Sequence, residues 1–183
     1  MPNGYNGVIL RVDLSSGTIE KREFPEEFYR TYMGGGAVGA YFLLQETGGD
    51  LDAFDARNVL TIAPGVTTGC AVSGASRCSV VAISPLTGAA GEGQVGGNIG
   101  PFIKFAGYDA IVITGCARDA SLLLIDGDTV EIRPAGLMTG RPVSEVYDVL
   151  HEELSEDEKR ICILQCGPAG EKRVRFKRIK KQS

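Results

Sequence analysis

The chain has 183 residues, of which 43% are hydrophobic, and its formal net charge is −4. This length is enough to bury one substantial core. No stretch approaches the roughly 20 consecutive apolar residues that a membrane span needs. Residues 1–5 also lack the basic and then apolar pattern of a secretory signal. We therefore expect a cytoplasmic protein without a membrane-embedded part.

The charge is distributed unevenly along the chain. Residues 171–183 hold seven basic side chains beside Glu171, a local charge of +6, so the other 170 residues sum to −10. A basic tail can bind nucleic acid, but this acidic body would repel phosphate and the tail has one aromatic residue, Phe176. The pattern therefore disfavours nucleic-acid binding.

The five cysteines lie in or beside apolar runs, which predicts buried and reduced thiols. Cys162 and Cys166 would share one face of a strand, but their spacing is not C-x-x-C and no second pair matches it. His151 follows a helical pattern beside two glutamates, and we expect it to be solvated. We therefore assign no metal ligand and no catalytic residue to this chain.

The first elements are predicted from local patterns. Alternating residues around a glycine turn indicate a hairpin over 9–24. Pro25 and the two acids after it favour a helix N-terminus. The glycines at 34–36 predict a break before the helix resumes at 38–44. Two strands should follow, at 58–63 and 78–83.

Residues 122–179 repeat this series in the same order. The repeat comprises a hairpin over 122–133, a helix from Pro142, and strands at 161–164 and 174–179. Neither unit offers enough apolar surface for a core of its own. We therefore predict a single α+β domain over 1–183, in which two similar β-sheet and helix halves pack face to face as a pseudo-two-fold layered sandwich. The halves would cover about 1–84 and 105–183, joined by the Gly-rich segment 85–104.

The joining segment has six glycines within residues 88–100. Ordering each glycine costs about 0.5–1 kcal/mol relative to alanine. A ligand whose anionic group meets backbone N–H groups would offset this cost, but so would tight packing or a loop with positive-φ turns. No standard nucleotide-binding pattern is present. Nearby, Arg77 begins an apolar strand, and its planar fork suits a phosphate, a heterocycle edge or a structural salt bridge.

Five segments in order resemble the N-terminal domain of aldehyde:ferredoxin oxidoreductases, the tungsten-pterin enzymes. They cover nearly the whole chain, and KFAGYDAIV at 104–112 is the most specific of them. The others are GVILRVDL at 7–14, the glycine turn before YFLL at 41–44, SPLTG at 84–88 and GPAGE at 167–171.

The resemblance implies a base of paired sheets that carries tungstopterin, a bis-molybdopterin with one tungsten. Arg77 matches a family arginine between a pterin and the iron–sulfur cluster. Gln94, Gly96 and Gly97 match the stretch that holds the pterin phosphates and a bridging magnesium ion. The whole enzyme would oxidise an aldehyde to a carboxylate and pass electrons through a 4Fe–4S cluster to ferredoxin, with the redox chemistry supplied by the cofactor.

Three departures narrow this expectation. Gln94 stands where the family has Asn, Gly36 stands where members often have Arg, and the similarity ends after Phe176. The cluster cysteines of the family lie in later domains. The resemblance therefore implies an incomplete catalyst, which is either a separate subunit that a second chain with the remaining domains would complete or the product of an interrupted gene. The alternatives are a non-enzymatic module that binds a pterin or another phosphorylated ligand, and an assembly or structural protein that forms a homodimer.

Overall fold

The computed structural model describes residues 4–154, 161–175 and 179–182. Its strands are β1 (Val8–Asp13), β2 (Thr18–Glu23), β3 (Leu60–Pro64), β4 (Cys78–Ile83), β5 (Ala90–Val95), β6 (Ala110–Thr114), β7 (Ser121–Asp126), β8 (Thr129–Pro134), β9 (Ile163–Cys166) and β10 (Ile179–Gln182). Its helices are α1 (Glu26–Tyr32), α2 (Gly35–Glu46), α3 (Ile99–Phe105), α4 (Val143–Leu154) and α5 (Pro168–Glu171). In these ranges, no helix is long and apolar enough to cross a membrane.

Six strands form the main sheet, in the order β2-β1-β6-β3-β4-β5. The pairing is antiparallel except between β1 and β6, which run parallel. Both predicted halves contribute to this sheet, because β1 to β4 come from the part before residue 84 and β6 from the part after residue 105, while β5 comes from the Gly-rich segment between them. The division into halves at 84 and 105 stays a prediction.

One face of the main sheet is covered by α1 and α2. Successive strand residues point to opposite faces, so Ile9 of β1 packs with Phe42 and Val38 of α2 and with Val81 of β4. These side chains are almost fully buried. Gly39 lets the helix approach the sheet, since a Cβ atom there would lie 2.4 Å from Val81 Cγ2.

The opposite face is covered by α3 and by elements of the second half. Leu10 and Ile111 of the main sheet meet Leu123 and Ile132 of the β7–β8 hairpin, together with Leu164 of β9. The two hairpins belong to different sheets, and β9 pairs antiparallel with β10 in a third. The α+β class and the face-to-face packing of the sheets are therefore confirmed.

Several local predictions need correction. Helix α2 begins at Gly35, before residue 38, because the chain turns at Met33 and Gly34, both of which have positive φ. The Gly-rich segment contains the strand β5, because β4 provides a pairing partner for it. The last strand begins at Ile179, and Val174 and Arg175 lie outside it. Residues 176–178 of that predicted strand lie outside the described residues.

The cysteines and the histidine also differ from expectation. Cys78 is buried, but Cys70, Cys116 and Cys166 are exposed, so burial was predicted wrongly for these three. His151, which was expected to be solvated, is half-buried, and its ring centroid lies 4.2 Å from that of Tyr147. Within the described ranges, no group of three or more His, Cys, Asp or Glu side chains is placed to hold a metal ion.

Candidate cofactor-binding site

The register of β4 and β5 brings three of the predicted site residues together. Cys78 pairs with Val95, and Ser79 pairs with Gln94. Arg77 directly precedes β4 and Gly96 directly follows β5, so these two residues come next at the same end of the hairpin. They are close in space, since a Cβ atom at Gly96 would lie 3.9 Å from Cδ and Nε of Arg77. Arg77, Gln94 and Gly96 thus meet at one end of the hairpin.

These residues lie on the face of the sheet that carries α2. Alternate residues of a strand share a face, so Arg77 and Ser79 point to the same side as Val81. Val81 belongs to the core beneath α1 and α2. The N-terminus of α2 lies close by, since a Cβ atom at Gly35 would lie 3.6 Å from Ser79 Oγ. The candidate site therefore lies beside the first turn of α2.

The main chain of Arg77 is held in place by Thr68, a residue that the sequence did not single out. The buried Thr68 hydroxyl donates a hydrogen bond of 2.7 Å to the Arg77 carbonyl oxygen and accepts one of 3.0 Å from the Gly65 N–H. Gly100 of α3 packs against both residues, because a Cβ atom there would lie 2.8 Å from Thr68 Cγ2 and 3.4 Å from the Arg77 carbonyl oxygen. The backbone of Arg77, from which its side chain extends, is therefore held in a fixed position.

The Arg77 side chain itself is exposed. None of the described residues forms an ion pair or a hydrogen bond with its guanidinium group, in contrast to Arg57, which binds Asp55 at 2.7 Å. The structural salt bridge considered from the sequence is thus not formed within these residues. A guanidinium on a fixed backbone is suited to bind a phosphate or another planar acceptor with two hydrogen bonds.

The rest of the site is formed by the end of β5 and the turn after it. Gln94 is exposed and offers an amide with both donor and acceptor atoms. Gly97 has a φ of +77°, which favours glycine. Because β5 is the last strand of the sheet order, one row of its backbone N–H and C=O groups faces away from β4. The N–H groups of this row can donate hydrogen bonds to an anionic ligand that approaches the backbone closely.

A second residue that the sequence did not single out is Glu92 of β5. Its Oε1 accepts a hydrogen bond of 2.7 Å from Ser79 Oγ. A Cβ atom at Gly36 would lie 2.6–2.8 Å from the Glu92 carboxylate group. The carboxylate therefore occupies the space over the first turn of α2 that a side chain at position 36 would need.

The structure is thus an α+β domain with an exposed guanidinium and glycine backbone at a sheet edge, an arrangement that is suited to bind a phosphorylated ligand. The model of the aldehyde ferredoxin oxidoreductase N-terminal domain matches residues 9–183, so the expectation that the similarity ends after Phe176 is wrong. The chain therefore belongs to this family.

Related proteins share almost the whole length of this chain. The tungsten-containing aldehyde ferredoxin oxidoreductase of Pyrococcus horikoshii is 42% identical over 173 residues, which are 94% of this chain and 28% of that protein. The WOR-like subunit of an aliphatic sulfonate oxidoreductase from Pyrococcus furiosus is 33% identical over 188 residues, with 96% of this chain and 30% of that protein covered. The chain thus spans less than a third of the relatives that it matches.

A solved structure shows the same fold. It is the active-site complex BamBC of benzoyl coenzyme A reductase with 1,5-dienoyl-CoA, one chain of which matches with a TM-score of 0.93 and 31% identity. The match covers 98% of this chain and 27% of that chain. The fold therefore occurs in proteins whose names describe different substrates.

Proposed function

We propose that this chain is the cofactor-carrying N-terminal domain of a tungsten-pterin oxidoreductase. The observation that carries the proposal is the proximity of Arg77 and Gly96 at one end of the β4–β5 hairpin, where the guanidinium has no protein partner within the described residues. Membership of the family supports it, as does the word tungsten in the names of the aldehyde-oxidising relatives.

The residues present fit such a cofactor. Arg77 would bind a pterin phosphate or the edge of the pterin ring through its planar donors. Backbone N–H groups at Gly96 and Gly97 would meet the phosphates, because no side chain blocks their approach. The Gln94 side-chain oxygen would contribute one ligand to a bridging magnesium ion, which prefers oxygen atoms. The bound cofactor would supply the redox chemistry, and these residues would orient it.

The complete reaction would need parts beyond this chain. The chain corresponds to 28–30% of the length of its relatives. The ligands of a 4Fe–4S cluster and the substrate pocket would therefore come from further domains, either of the same protein or of a second chain. We propose a cytoplasmic oxidoreductase that converts an aldehyde to a carboxylate and passes electrons through the cluster to ferredoxin.

Metal and pterin analysis of the protein from its native cells, purified with any bound partner, tests this proposal. Tungsten and molybdenum would be quantified by mass spectrometry, and pterin by the fluorescence of its oxidised form. Arg77→Ala should lower both contents, whereas Arg57→Ala, which alters an arginine that is bound to Asp55, should leave them unchanged. Full tungsten and pterin content in Arg77→Ala would show that the site is assigned wrongly. Pterin without metal would favour a non-enzymatic binding module.

A further inference from the structure

Glu92 links the edge strand β5 to the first turn of α2. Glu92 pairs with Val81 and lies on the face that α2 covers. Its carboxylate accepts the Ser79 hydroxyl at 2.7 Å and lies against Gly36, where a Cβ atom would be only 2.6 Å away. Strand β5, strand β4 and helix α2 thus meet at one acidic side chain.

The first turn of α2 provides a favourable environment for this charge. The free N–H groups of a helix N-terminus form the positive end of its dipole. The helix begins with Gly34 at its N-cap, followed by Gly35, Gly36 and Ala37, so its own side chains supply no acceptor there. Glu92 brings a negative charge to this turn from a strand that is more than 50 residues away in the sequence. Gly36 leaves the space that the carboxylate needs.

This arrangement has a consequence for the neighbouring site residues. Glu92 and Gln94 share a face and lie about 7 Å apart along the strand. Strand β5 is the last of the sheet order, so β4 holds it from one side. We propose that Glu92 is a positioning residue, which fastens β5 to α2 and thereby sets the orientation of Gln94 and Gly96 toward Arg77. This proposal rests on the proposed function of the hairpin end.

The contact of Glu92 with Ser79 and α2 also keeps the carboxylate of Glu92 from pairing with the guanidinium of Arg77. The Glu92 carboxylate is directed to Ser79 and to α2, and it forms no ion pair with Arg77 in the part of the chain that the structure describes. The guanidinium therefore keeps its full charge for an anionic ligand. A carboxylate on the same face that neutralised Arg77 would weaken such binding.

Hydrogen exchange of the 183-residue chain, measured by mass spectrometry, tests the positioning role. Glu92→Ala should increase exchange on the order of tenfold at those amides of residues 93–97 that are hydrogen-bonded to β4, because the strand loses its contact with α2. Glu92→Gln keeps an acceptor for Ser79 without the charge, and its effect should be smaller. Gly36→Ala should resemble Glu92→Ala, since its methyl group would displace the carboxylate. Adding Ser79→Ala to Glu92→Ala should raise exchange no further, because both changes remove one contact.

Glu20→Ala is the matched control, because Glu20 lies on the opposite edge strand β2 and binds Arg22. It should leave exchange at 93–97 as in the wild type. Unchanged exchange at 93–97 in both Glu92→Ala and Gly36→Ala would overturn the proposal. An equal increase throughout the chain would also overturn it, because Glu92 would then stabilise the fold in general.

Metal content separates this proposal from the proposed function. Normal tungsten and pterin content in Arg77→Ala, together with faster exchange in Glu92→Ala, would refute the cofactor site and leave the positioning role intact. Loss of tungsten in Arg77→Ala, together with wild-type exchange in the Glu92 and Gly36 variants, would refute the role of Glu92 alone.

Discussion

Lys104 and Asp109 form a buried ion pair, with Nζ 2.9 Å from Oδ1 and side chains that are 1% and 6% exposed. The Asp109 carboxylate also accepts hydrogen bonds from the backbone N–H groups of Asn6 and Gly7, at 2.9 and 2.7 Å. Both charged residues belong to the segment 104–112 that carries the most specific resemblance. The pair joins the start of the chain to the region between α3 and β6.

Asp109→Ala should lower the free energy of unfolding by about 3–5 kcal/mol, because the Lys104 charge would remain buried without its partner. Urea unfolding followed by circular dichroism would measure this. The control is Arg30→Ala, which removes an exposed pair with Glu26 and should cost less than about 1 kcal/mol. Similar costs for the two variants would mean that the buried pair has no special role in stability.

Gly39→Ala tests the close approach of α2 to the sheet. The methyl group would lie 2.4 Å from Val81 Cγ2, so overpacking should lower the free energy of unfolding of the variant by about 1–3 kcal/mol. At a helix position with free space, the same change would raise the free energy of unfolding by up to about 1 kcal/mol. The comparison is Gly39→Ala in a Val81→Gly background, where both the Cγ atoms and the Cβ atom of Val81 are gone and the cost should disappear. An equal cost in both backgrounds would contradict the proposed packing.

The sequence predicted the elements that depend on local patterns. The strands β1, β2 and β4 follow from alternation and turn glycines, and β4 lies where it was expected, at Cys78–Ile83. Strand β5 was not predicted, because Gly91 and Gly93 weaken a strand and its hydrogen-bond partners lie on β4. The start of α2 was also misjudged, since the turn at Gly34 depends on contact with Pro64, 30 residues further on.

The candidate site was predictable to a similar extent. The resemblance pointed to Arg77, Gln94, Gly96 and Gly97, but their proximity depends on the register of β4 and β5. Thr68 binds residues three and nine positions away, and Glu92 lies against Gly36, which is 56 residues earlier. Single polar residues in a loop or a Gly-rich run provide no local signal for such contacts.

Arg77→Ala and Thr68→Val should separate ligand binding from folding. Arg77 is exposed, so its truncation should change the free energy of unfolding by less than about 0.5 kcal/mol. Thr68→Val removes the donor to the Arg77 carbonyl oxygen and the acceptor for the Gly65 N–H, so it should cost about 1–3 kcal/mol. Urea titrations of both variants would measure these values. If Arg77→Ala instead caused a large loss of stability, a lower cofactor content in this variant would result from impaired folding and not from a lost ligand contact.

Tyr29 should make the protein less stable in alkali. Burial, together with the negative charge of Asp109, raises the pKa of Tyr29 above its usual value of 10.0. Below this pH, the tyrosine is protonated in the folded and the unfolded states, so it adds no pH dependence. Above it, the unfolded state releases the proton first, and the free energy of unfolding falls as the pH rises.

Tyr29→Phe removes this ionisation, so its stability should fall less steeply than that of the wild type between about pH 10 and pH 11. Urea unfolding at a series of pH values would give both slopes. The difference between the two proteins at about pH 7 is the internal control, because it contains the effect of the lost hydroxyl without ionisation. Parallel slopes above pH 10 would show that Tyr29 ionises as readily in the folded protein as in the unfolded chain.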